Sequence, residues 1–253
     1  MITIKDNLLT FNKLTDEGII NCFTLKPYDF KDFANNPNRD SQLEKIYNDL
    51  NVKIKLTKKP NQTHTNNVKV LDESNKNDQF DDVDGLVTNL KDVALVTSLA
   101  DCQGILLYDK NKKAIANIHS GWKGTLNKIV VNAINLMIDT YNSNPNDIEA
   151  YLTPSIMKCC FEVDKDVVDM FKDNFDDIVD LISLGDIKEG KQKYYIDLLT
   201  LNKRTLLNLG IKEENIISSN ICSKCNDNIQ SYRRDKSESG RNIAIICMQS
   251  EIS

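Results

Sequence analysis

The sequence predicts an α+β fold: a single mixed α/β domain over residues 1–253, with a largely antiparallel or mixed sheet core flanked by helices. Three observations lead to this prediction. Strand-like apolar runs outnumber the amphipathic helical stretches, several runs are separated by only a short turn, and neither a repeat nor a break in composition divides the chain. A doubly wound parallel sheet, in which strands and helices alternate, is therefore disfavoured.

The first third of the chain is predicted to contain short strands and one helix. The predicted strands are Ile2–Ile4, Leu8–Phe11, Ile19–Phe23, Val52–Leu56 and Val68–Leu71. A helix that begins at Asp40 or Ser41 would place Leu43, Ile46 and Leu50 on one face. The acidic, asparagine-rich residues Asp72–Asp82 are typical of a solvated loop.

The remainder is predicted to alternate between strands and three helices. The further strands are Gly104–Tyr108, Ala114–Ile118, Ile148–Leu152, Tyr194–Ile196, Ile216–Ser218, Ile229–Tyr232 and Asn242–Met248. The turn-rich Asp109–Lys112 suits a hairpin between the first two of these. One helix follows His119, a second is capped by Asp164, and a third starts near Leu198 and has Gly210 as its C′ residue.

The stretch Ile118–Thr125 is the most informative in the chain. His119 is predicted to lie where a strand gives way to a helix, with Thr125 as the N-cap of that helix. Gly121 and Gly124 flank the only tryptophan, and glycines allow unusual φ values and close approach of the backbone to a bound group. The first N–H groups of the helix would favour an anion there.

Composition limits the classes of protein to consider. A net charge of −5 without a basic block disfavours a nucleic-acid surface, and the strongest apolar run is too short to span a membrane. The N-terminus lacks the apolar core of a signal peptide. Seven cysteines without such a signal are typical of a reducing compartment, so we expect a cytoplasmic protein.

Three residues suited to bind a metal lie at the ends of predicted strands: His64, Cys102 and His119. Two imidazoles and a thiolate with an open fourth position are the ligands of a catalytic zinc site, in which the metal acidifies a bound water. The alternative is that each is an isolated packed or surface residue. A further alternative makes Cys102 a nucleophile, with His119 as its base and Asp101 or another acid as the group that orients the base.

The remaining cysteines give weaker signals. Cys222 and Cys225 have the spacing of a metal or redox pair, but a single such pair has no partner pair in the sequence. Cys159 and Cys160 are adjacent and do not readily bridge to each other. Cys222 and Cys225 are therefore interpreted as structural or incidental, and Cys159 and Cys160 as packing residues.

An ordered set of motifs resembles a known family. The motifs are Gln62-Thr63-His64, Asp84–Thr88, Ala100-Asp101-Cys102, Leu106–Asp109, His119–Gly124, Pro154–Ile156, Cys159–Val163, Asp197-Leu198, Cys222, Ser231–Asp235 and Gly240-Arg241. In this order they are similar to the laccase-domain family of YfiH type, first named multicopper polyphenol oxidases and later recognised as purine nucleoside phosphorylases. The resemblance covers the chain after residue 60.

The resemblance implies both a cofactor and a reaction. It implies one Zn²⁺ per chain bound by His64, Cys102 and His119, the three residues that ligand chemistry also selects. It implies phosphorolysis of adenosine, inosine and methylthioadenosine with inorganic phosphate as co-substrate, and deamination of adenosine as a companion activity. Asp101 is then a candidate for proton transfer or for orienting a ligand.

Phosphorolysis requires an anion site. The Gly121–Gly124 turn, the helix that follows it and Arg241 are the candidates, although pairing with acidic residues is an alternative role for Arg233, Arg234 and Arg241. The family has a His-Gly-Phe-Ser-Thr-Arg pattern followed by glycines near its N-terminus. Here the corresponding segment is Asn21–Lys26, where Lys26 would replace the arginine without its forked geometry.

Other departures are small. Lys123 stands where arginine is common, Leu99 where threonine is usual and Thr153 where glycine is usual. They affect substrate range and rate rather than the metal ligands, so a catalytically weakened member that binds zinc, or a non-enzymatic binding protein, is a third class to consider. An ordinary multicopper oxidase is excluded, because its copper centres need more imidazoles than the two histidines of this chain.

Overall fold

A computed structural model describes residues 1–250 of the chain. Its strands are β1 Ile2–Lys5, β2 Leu8–Phe11, β3 Ile19–Thr24, β4 Leu56–Lys58, β5 Val68–Val70, β6 Gly85–Thr88, β7 Val93–Leu99, β8 Gln103–Asp109, β9 Ala114–Ser120, β10 Ile148–Leu152, β11 Glu162–Val163, β12 Ile182–Lys188, β13 Lys191–Ile196, β14 Ile216–Ser218 and β15 Asn242–Met248. Its α-helices are α1 Asn12–Asp16, α2 Arg39–Asp49, α3 Trp122–Leu126, α4 Ile129–Tyr141, α5 Lys165–Asn174, α6 Leu198–Asn208 and α7 Tyr232–Asp235.

The strands form three sheets. Sheet I has the order β1-β2-β3-β15-β7-β4, sheet II has the order β14-β10-β8-β9-β6-β5, and sheet III has the order β11-β13-β12. Most neighbours are antiparallel, but β4 with β7, β5 with β6 and β10 with β14 are parallel. The predicted fold class, with mixed sheets flanked by helices, is confirmed.

Sheets I and II pack face to face and each has helices on its outer face. Along β15, Ala244 and Ile246 face the core between the two sheets, whereas Ile243 and Ile245 face α2. The helices α4 and α6 pack against the other face of sheet II. Because both faces of the central strands are buried, these strands appear in the sequence as continuous apolar runs.

A buried asparagine links the two large sheets. The Asn117 amide of β9 donates to the backbone carbonyls of Leu95 in β7 and Ala244 in β15, each at 2.9 Å. Its carbonyl oxygen accepts from the Thr97 hydroxyl at 2.8 Å. These bonds satisfy a polar side chain that is 1% exposed, and they fix how sheet II, which carries the candidate site, lies on sheet I.

The helix after His119 differs from the prediction. It is divided into α3 and α4 at Lys128, whose φ of 57° is incompatible with a continuous helix. Thr125 as the N-cap is wrong, because α3 already begins after Gly121, which is extended. The Thr125 hydroxyl lies 2.9 Å from that of Ser120 and joins the helix to the end of β9.

Several other boundaries were predicted wrongly. Ile229–Tyr232 is not a strand: Ser231 accepts a hydrogen bond from the Arg234 N–H and begins the short helix α7. The strand predicted from Val52 begins at Leu56 instead. The sequence prediction does not include β12, which is largely exposed and whose apolar alternation is broken by a bulge between Leu184 and Ile187.

Among the described residues, none of the helices combines the length and the apolar character that crossing a bilayer requires. The cytoplasmic location stays a prediction.

Candidate metal centre and its cavity

Two neighbouring strands and one loop position the three candidate ligands. His119 lies on β9, directly opposite Gly104 of β8, and Cys102 precedes β8 by one residue. His64 lies in the connection between β4 and β5 with a φ of 65°, a left-handed conformation that turns the loop at this point. Strand pairing therefore determines the position of two ligands, and a turn supplies the third.

The structure brings His64, Cys102 and His119 together. One ligand atom from each lies within 4.8 Å of the others, and the Cys102 Sγ is 3.9 Å from the His64 Nε2. The two imidazole rings meet edge to face, with centroids 4.8 Å apart. His119 is buried, Cys102 is half-buried and His64 is exposed, so the group of donors is open on one side. A thiolate and two imidazoles in this arrangement fit Zn²⁺ with a free fourth position.

Asp84, which the sequence analysis did not select, supports two of the three side chains. It is completely buried, and its Oδ1 accepts from the His119 Nδ1 at 2.7 Å and from the His64 backbone N–H at 3.1 Å. Its other oxygen accepts from the Thr65 N–H at 2.7 Å. Because the His119 Nδ1 donates its proton to Asp84, the Nε2 lone pair is left for a ligand in the centre. In the sequence Asp84 appears only as an aspartate before the apolar run Leu86-Val87, which does not indicate the side chain it supports.

The charges in the centre stabilise one another. Burial raises the pKa of Asp84, but hydrogen bonds from His119 and Thr65 outweigh it and lower the pKa to about 2. Burial likewise raises the pKa of the Cys102 thiol, but His119 and His64 lower it to about 6. Burial lowers the pKa of His119, but the negative charges of Cys102 and Asp84 raise it to about 9. Without a metal the site therefore favours a thiolate beside an imidazolium, and a bound metal would replace the proton on the His119 Nε2.

Gly121 lies against the ligands. A Cβ at this position would lie 3.0 Å from the His64 Cδ2 and 3.1 Å from the Cys102 Sγ. Its φ of −68° is available to any residue, so the absence of a side chain, and not an unusual φ, is what the site requires. The prediction of close approach at this turn is correct, whereas the prediction of an unusual φ is not.

The centre opens into a cavity of about 580 Å³, a size typical of small-molecule sites. All three candidate ligands line it, together with three aromatic and three cationic side chains. The aromatic residues are Trp122, Phe161 and Tyr232, and the cationic residues are Lys59, Arg233 and Arg241. Burial lowers the pKa of Lys59 to about 8, against the opposing effect of Asp84.

The other predicted site residues occupy different surroundings. Asp101 borders the cavity, and its carboxylate accepts from the Ser223 and Ser231 hydroxyls, each at 2.6 Å, and from the Arg233 N–H at 2.5 Å. It is Asp84, and not Asp101, that orients His119.

The predicted substrate and phosphate residues separate into two groups. Arg241 lines the cavity, where its Nη1 donates to the Gly240 carbonyl at 2.8 Å. Lys123 is exposed, and its Nζ lies 5.6 Å from the centre of the Trp122 ring. The Lys26 Nζ lies 3.8 Å from the Asp235 Oδ2. Neither lysine is among the residues that line the cavity.

Two of the departures from the family pattern are neighbours. The Leu99 Cδ1 and the Thr153 Oγ1 each lie 2.8 Å from the position that a Cβ on Gly104 would occupy. The Thr153 hydroxyl also accepts from the Gly104 N–H at 3.0 Å. The two larger side chains together fill the space over Gly104, on the strand opposite His119.

Comparison with known proteins identifies the family. The model of the family described as "Multi-copper polyphenol oxidoreductase laccase" matches residues 35–249. The chain belongs to this family. The resemblance found in its sequence motifs is therefore confirmed.

Relatives of this laccase-domain chain bear the names of nucleoside enzymes. A purine nucleoside phosphorylase of Borreliella burgdorferi is 30% identical over 241 residues, which cover 92% of this chain and 94% of the relative. Purine nucleoside phosphorylase YlmD of Bacillus subtilis is 33% identical over 167 residues, which cover 66% of this chain but only 59% of YlmD. Adenosine deaminase RL5 of an unknown prokaryotic organism is 33% identical over 190 residues, covering 72% of this chain and 71% of the relative.

Solved structures share the fold. The hypothetical protein YfiH of Bacillus licheniformis has a TM-score of 0.86 and 23% identity, and the match covers 98% of this chain and 99% of YfiH. YlmD from Geobacillus stearothermophilus has a TM-score of 0.86 and 22% identity over the same shares of both chains. The predicted YfiH-like fold is confirmed.

Proposed function

We propose that the chain is a zinc-dependent purine nucleoside phosphorylase that accepts adenosine, inosine and methylthioadenosine, with adenosine deamination as a companion activity. The observation that carries the proposal is the group His64, Cys102 and His119, open to a cavity of about 580 Å³ that offers both aromatic and cationic side chains. The names of the relatives support the same class of enzyme.

The cavity offers side chains that would bind the purine base and the phosphate. Trp122, Phe161 and Tyr232 offer ring faces and edges to a purine base. Arg233 is held by its Nη1, which donates to the Glu162 carbonyl at 2.8 Å, and its guanidinium lies 5.6 Å from the centre of the Phe161 ring. Together with Arg241 it supplies positive charge for inorganic phosphate. Phosphate would attack C1′ of the ribose while the purine leaves.

The metal ligands and their partner have separate tasks. His64, Cys102 and His119 would hold one Zn²⁺, which when bound supplies a Lewis acid and an acidified water. Asp84 holds His119 in the tautomer that presents Nε2 to the centre. We place Asp101 as the residue that positions α7 and its cavity-lining residues Tyr232 and Arg233 through its hydrogen bonds.

The test is product analysis after incubation of the purified protein with adenosine, with and without inorganic phosphate. Phosphate-dependent release of adenine and ribose 1-phosphate supports phosphorolysis, and phosphate-independent formation of inosine supports deamination. Cys102→Ala is expected to lose both activities, whereas Cys22→Ala, at a buried cysteine of β3 away from the cavity, is expected to keep them. Absence of both products with adenosine and inosine would contradict the proposal.

A metal-free Cys–His hydrolase is the second candidate. It is favoured by the lowered pKa of Cys102 beside His119, because a thiolate next to an imidazolium is the activated form of a cysteine nucleophile. Alkylation of Cys102 separates the two candidates: zinc-bound Cys102 resists alkylation until a chelator is added, whereas a free nucleophile reacts at once and loses activity with it.

A further inference from the structure

Four of the remaining cysteines form a second cluster. Cys159 and Cys160 lie between β10 and β11, and Cys222 and Cys225 lie between β14 and α7. The structure brings all four sulfur atoms within 4.8 Å of one another. From the sequence, Cys222 and Cys225 are interpreted as structural or incidental and Cys159 and Cys160 as packing, since Cys160 and Cys222 are 62 positions apart.

The spacing of the sulfur atoms is that of ligands around one ion. The Sγ of Cys225 lies 3.4 Å from that of Cys160 and 3.9 Å from that of Cys159, and the two adjacent cysteines are 3.7 Å apart. Four sulfurs at about 2.3 Å from a central Zn²⁺ form a tetrahedron with edges of about 3.8 Å. A disulfide would bring two sulfurs to about 2.05 Å, so these distances fit shared coordination and not bridges.

The local backbone also suits a thiolate cluster. Burial raises the pKa of Cys222, but backbone N–H groups of Met157 and Cys225 donate to its sulfur and lower the pKa below its usual value. Cys222 and Cys225 have the C-x-x-C spacing of structural zinc sites, in which the backbone turns around the sulfur of the first cysteine. Burial and the neighbouring thiols raise the pKa of Cys159 to about 11. A bound divalent cation would lower this pKa, because it stabilises the thiolate.

We propose that Cys159, Cys160, Cys222 and Cys225 bind a second Zn²⁺, in a closed structural site separate from the His64, Cys102 and His119 centre. All four positions around the ion are taken by sulfur, so the site leaves none for a water and has no catalytic role. Binding releases the thiol protons as the four Zn–S bonds form and involves no change of oxidation state.

The ion would fix one wall of the cavity. The two cysteine loops already meet through the Ser155 N–H, which donates to the Ile221 carbonyl at 3.2 Å, and the Ser223 N–H, which donates to Ser155 at 2.9 Å. Ser223 in turn donates its hydroxyl to Asp101 at 2.6 Å, one residue from Cys102. Ser155 also lines the cavity, so the second site would hold the loops that complete the first.

The experiment measures zinc per chain by elemental analysis in five proteins purified under reducing conditions. We expect about two zinc ions in the wild type, about one in Cys225→Ser, about one in Cys102→Ala and none in the double variant, if each ligand removed empties one site. Cys22→Ser is the matched control at a buried cysteine outside both clusters and should keep both ions. Because Cys102→Ala empties the first site alone, failure of the proposed function and failure of this proposal give different results.

Site-resolved alkylation of the wild type gives a second readout that does not depend on a variant folding. Cys225 is exposed, so as a free thiol it would be open to alkylation. We expect it to resist alkylation until a zinc chelator is added. Immediate alkylation in the untreated protein, or protection that a reductant removes and a chelator does not, would overturn the proposal, as would a Cys225→Ser variant with the zinc content of the wild type.

Discussion

The candidate metal ligands could be found from the sequence, whereas the residues that hold these ligands in place could not. His64, Cys102 and His119 stand out because the chain has two histidines and each candidate falls near the end of a predicted strand. Asp84 and the four-cysteine cluster depend on contacts between distant segments, such as the 2.7 Å bond from His119 to Asp84. A side chain whose role is to hold another carries no local signal of that role in one sequence.

The Asp84–His119 hydrogen bond is expected to control metal affinity. Asp84→Asn keeps the shape but can donate to the His119 Nδ1, which moves the ring proton to Nε2 and blocks the metal-binding lone pair. Zinc affinity at this centre should fall about 10- to 100-fold, measured by competition with a chromogenic chelator. Asp78→Asn, an exposed carboxylate of the loop before β6, is the control and should leave the affinity unchanged. Equal affinities for Asp84→Asn and the wild type would remove Asp84 from the site.

The lowered pKa of Cys102 predicts an unusual pH dependence of alkylation in zinc-free protein. The thiolate reacts and the thiol does not, so the rate should fall only as the pH drops through about 6. An ordinary thiol loses reactivity below about 8.5. Site-resolved mass spectrometry of Cys102 against pH measures the midpoint, which Asp84→Asn should move upward because His119 then carries less positive charge. A wild-type midpoint near that of an ordinary thiol would contradict the account of the site's electrostatics.

At the scale of elements, buried strands were predictable and the breaks between helices were not. Central strands such as β15 are covered on both faces and therefore appear as apolar runs. The break at Lys128 is not visible in the sequence because a lysine, and not a glycine, takes the left-handed conformation with a φ of 57°. Ile229–Tyr232 has the composition of a strand, but the Ser231 cap begins a helix there instead.

A side chain at Gly121, between β9 and α3, is expected to weaken zinc binding. The Cβ of Gly121→Ala would lie 3.0 Å from His64 and 3.1 Å from Cys102, so one of these ligands must move by a few tenths of an ångström. We expect about tenfold weaker zinc binding with little loss of stability, since ligand geometry sets affinity. Gly124→Ala is the matched control in the same turn, because its Cβ would meet its nearest neighbours at 3.4 Å. Wild-type zinc affinity in both variants would contradict the requirement for a glycine at position 121.

At the scale of the whole molecule, the fold class could be predicted because the layers follow from which faces are apolar. How the two large sheets lie on each other could not, because it depends on a polar contact. Asn117 is one asparagine among many in the sequence, yet its amide bridges β9 to β7 and β15. The single domain stays a prediction, and removal of this contact tests it.

Removing the contact between sheets is expected to destabilise the whole chain at once. Asn117→Ala leaves the buried Leu95 and Ala244 carbonyls without these donors, which should lower the free energy of unfolding by about 3 kcal/mol. Denaturant unfolding should remain a single transition with an earlier midpoint. Asn127→Ala, at an exposed position, is the control and should change stability by less than about 0.5 kcal/mol. Two separate transitions in either protein would contradict the single-domain prediction.

We expect phosphorolysis to require a zinc ion held by His64, Cys102 and His119. The experiment follows phosphate-dependent release of adenine from adenosine as Zn²⁺ is returned to protein stripped by a chelator. We expect the release to stop on stripping and to recover with added Zn²⁺ in the wild type, and not to recover in Cys102→Ala. Stripped protein that releases adenine at the original rate would contradict the claim and show that the chemistry of this cavity does not depend on the metal.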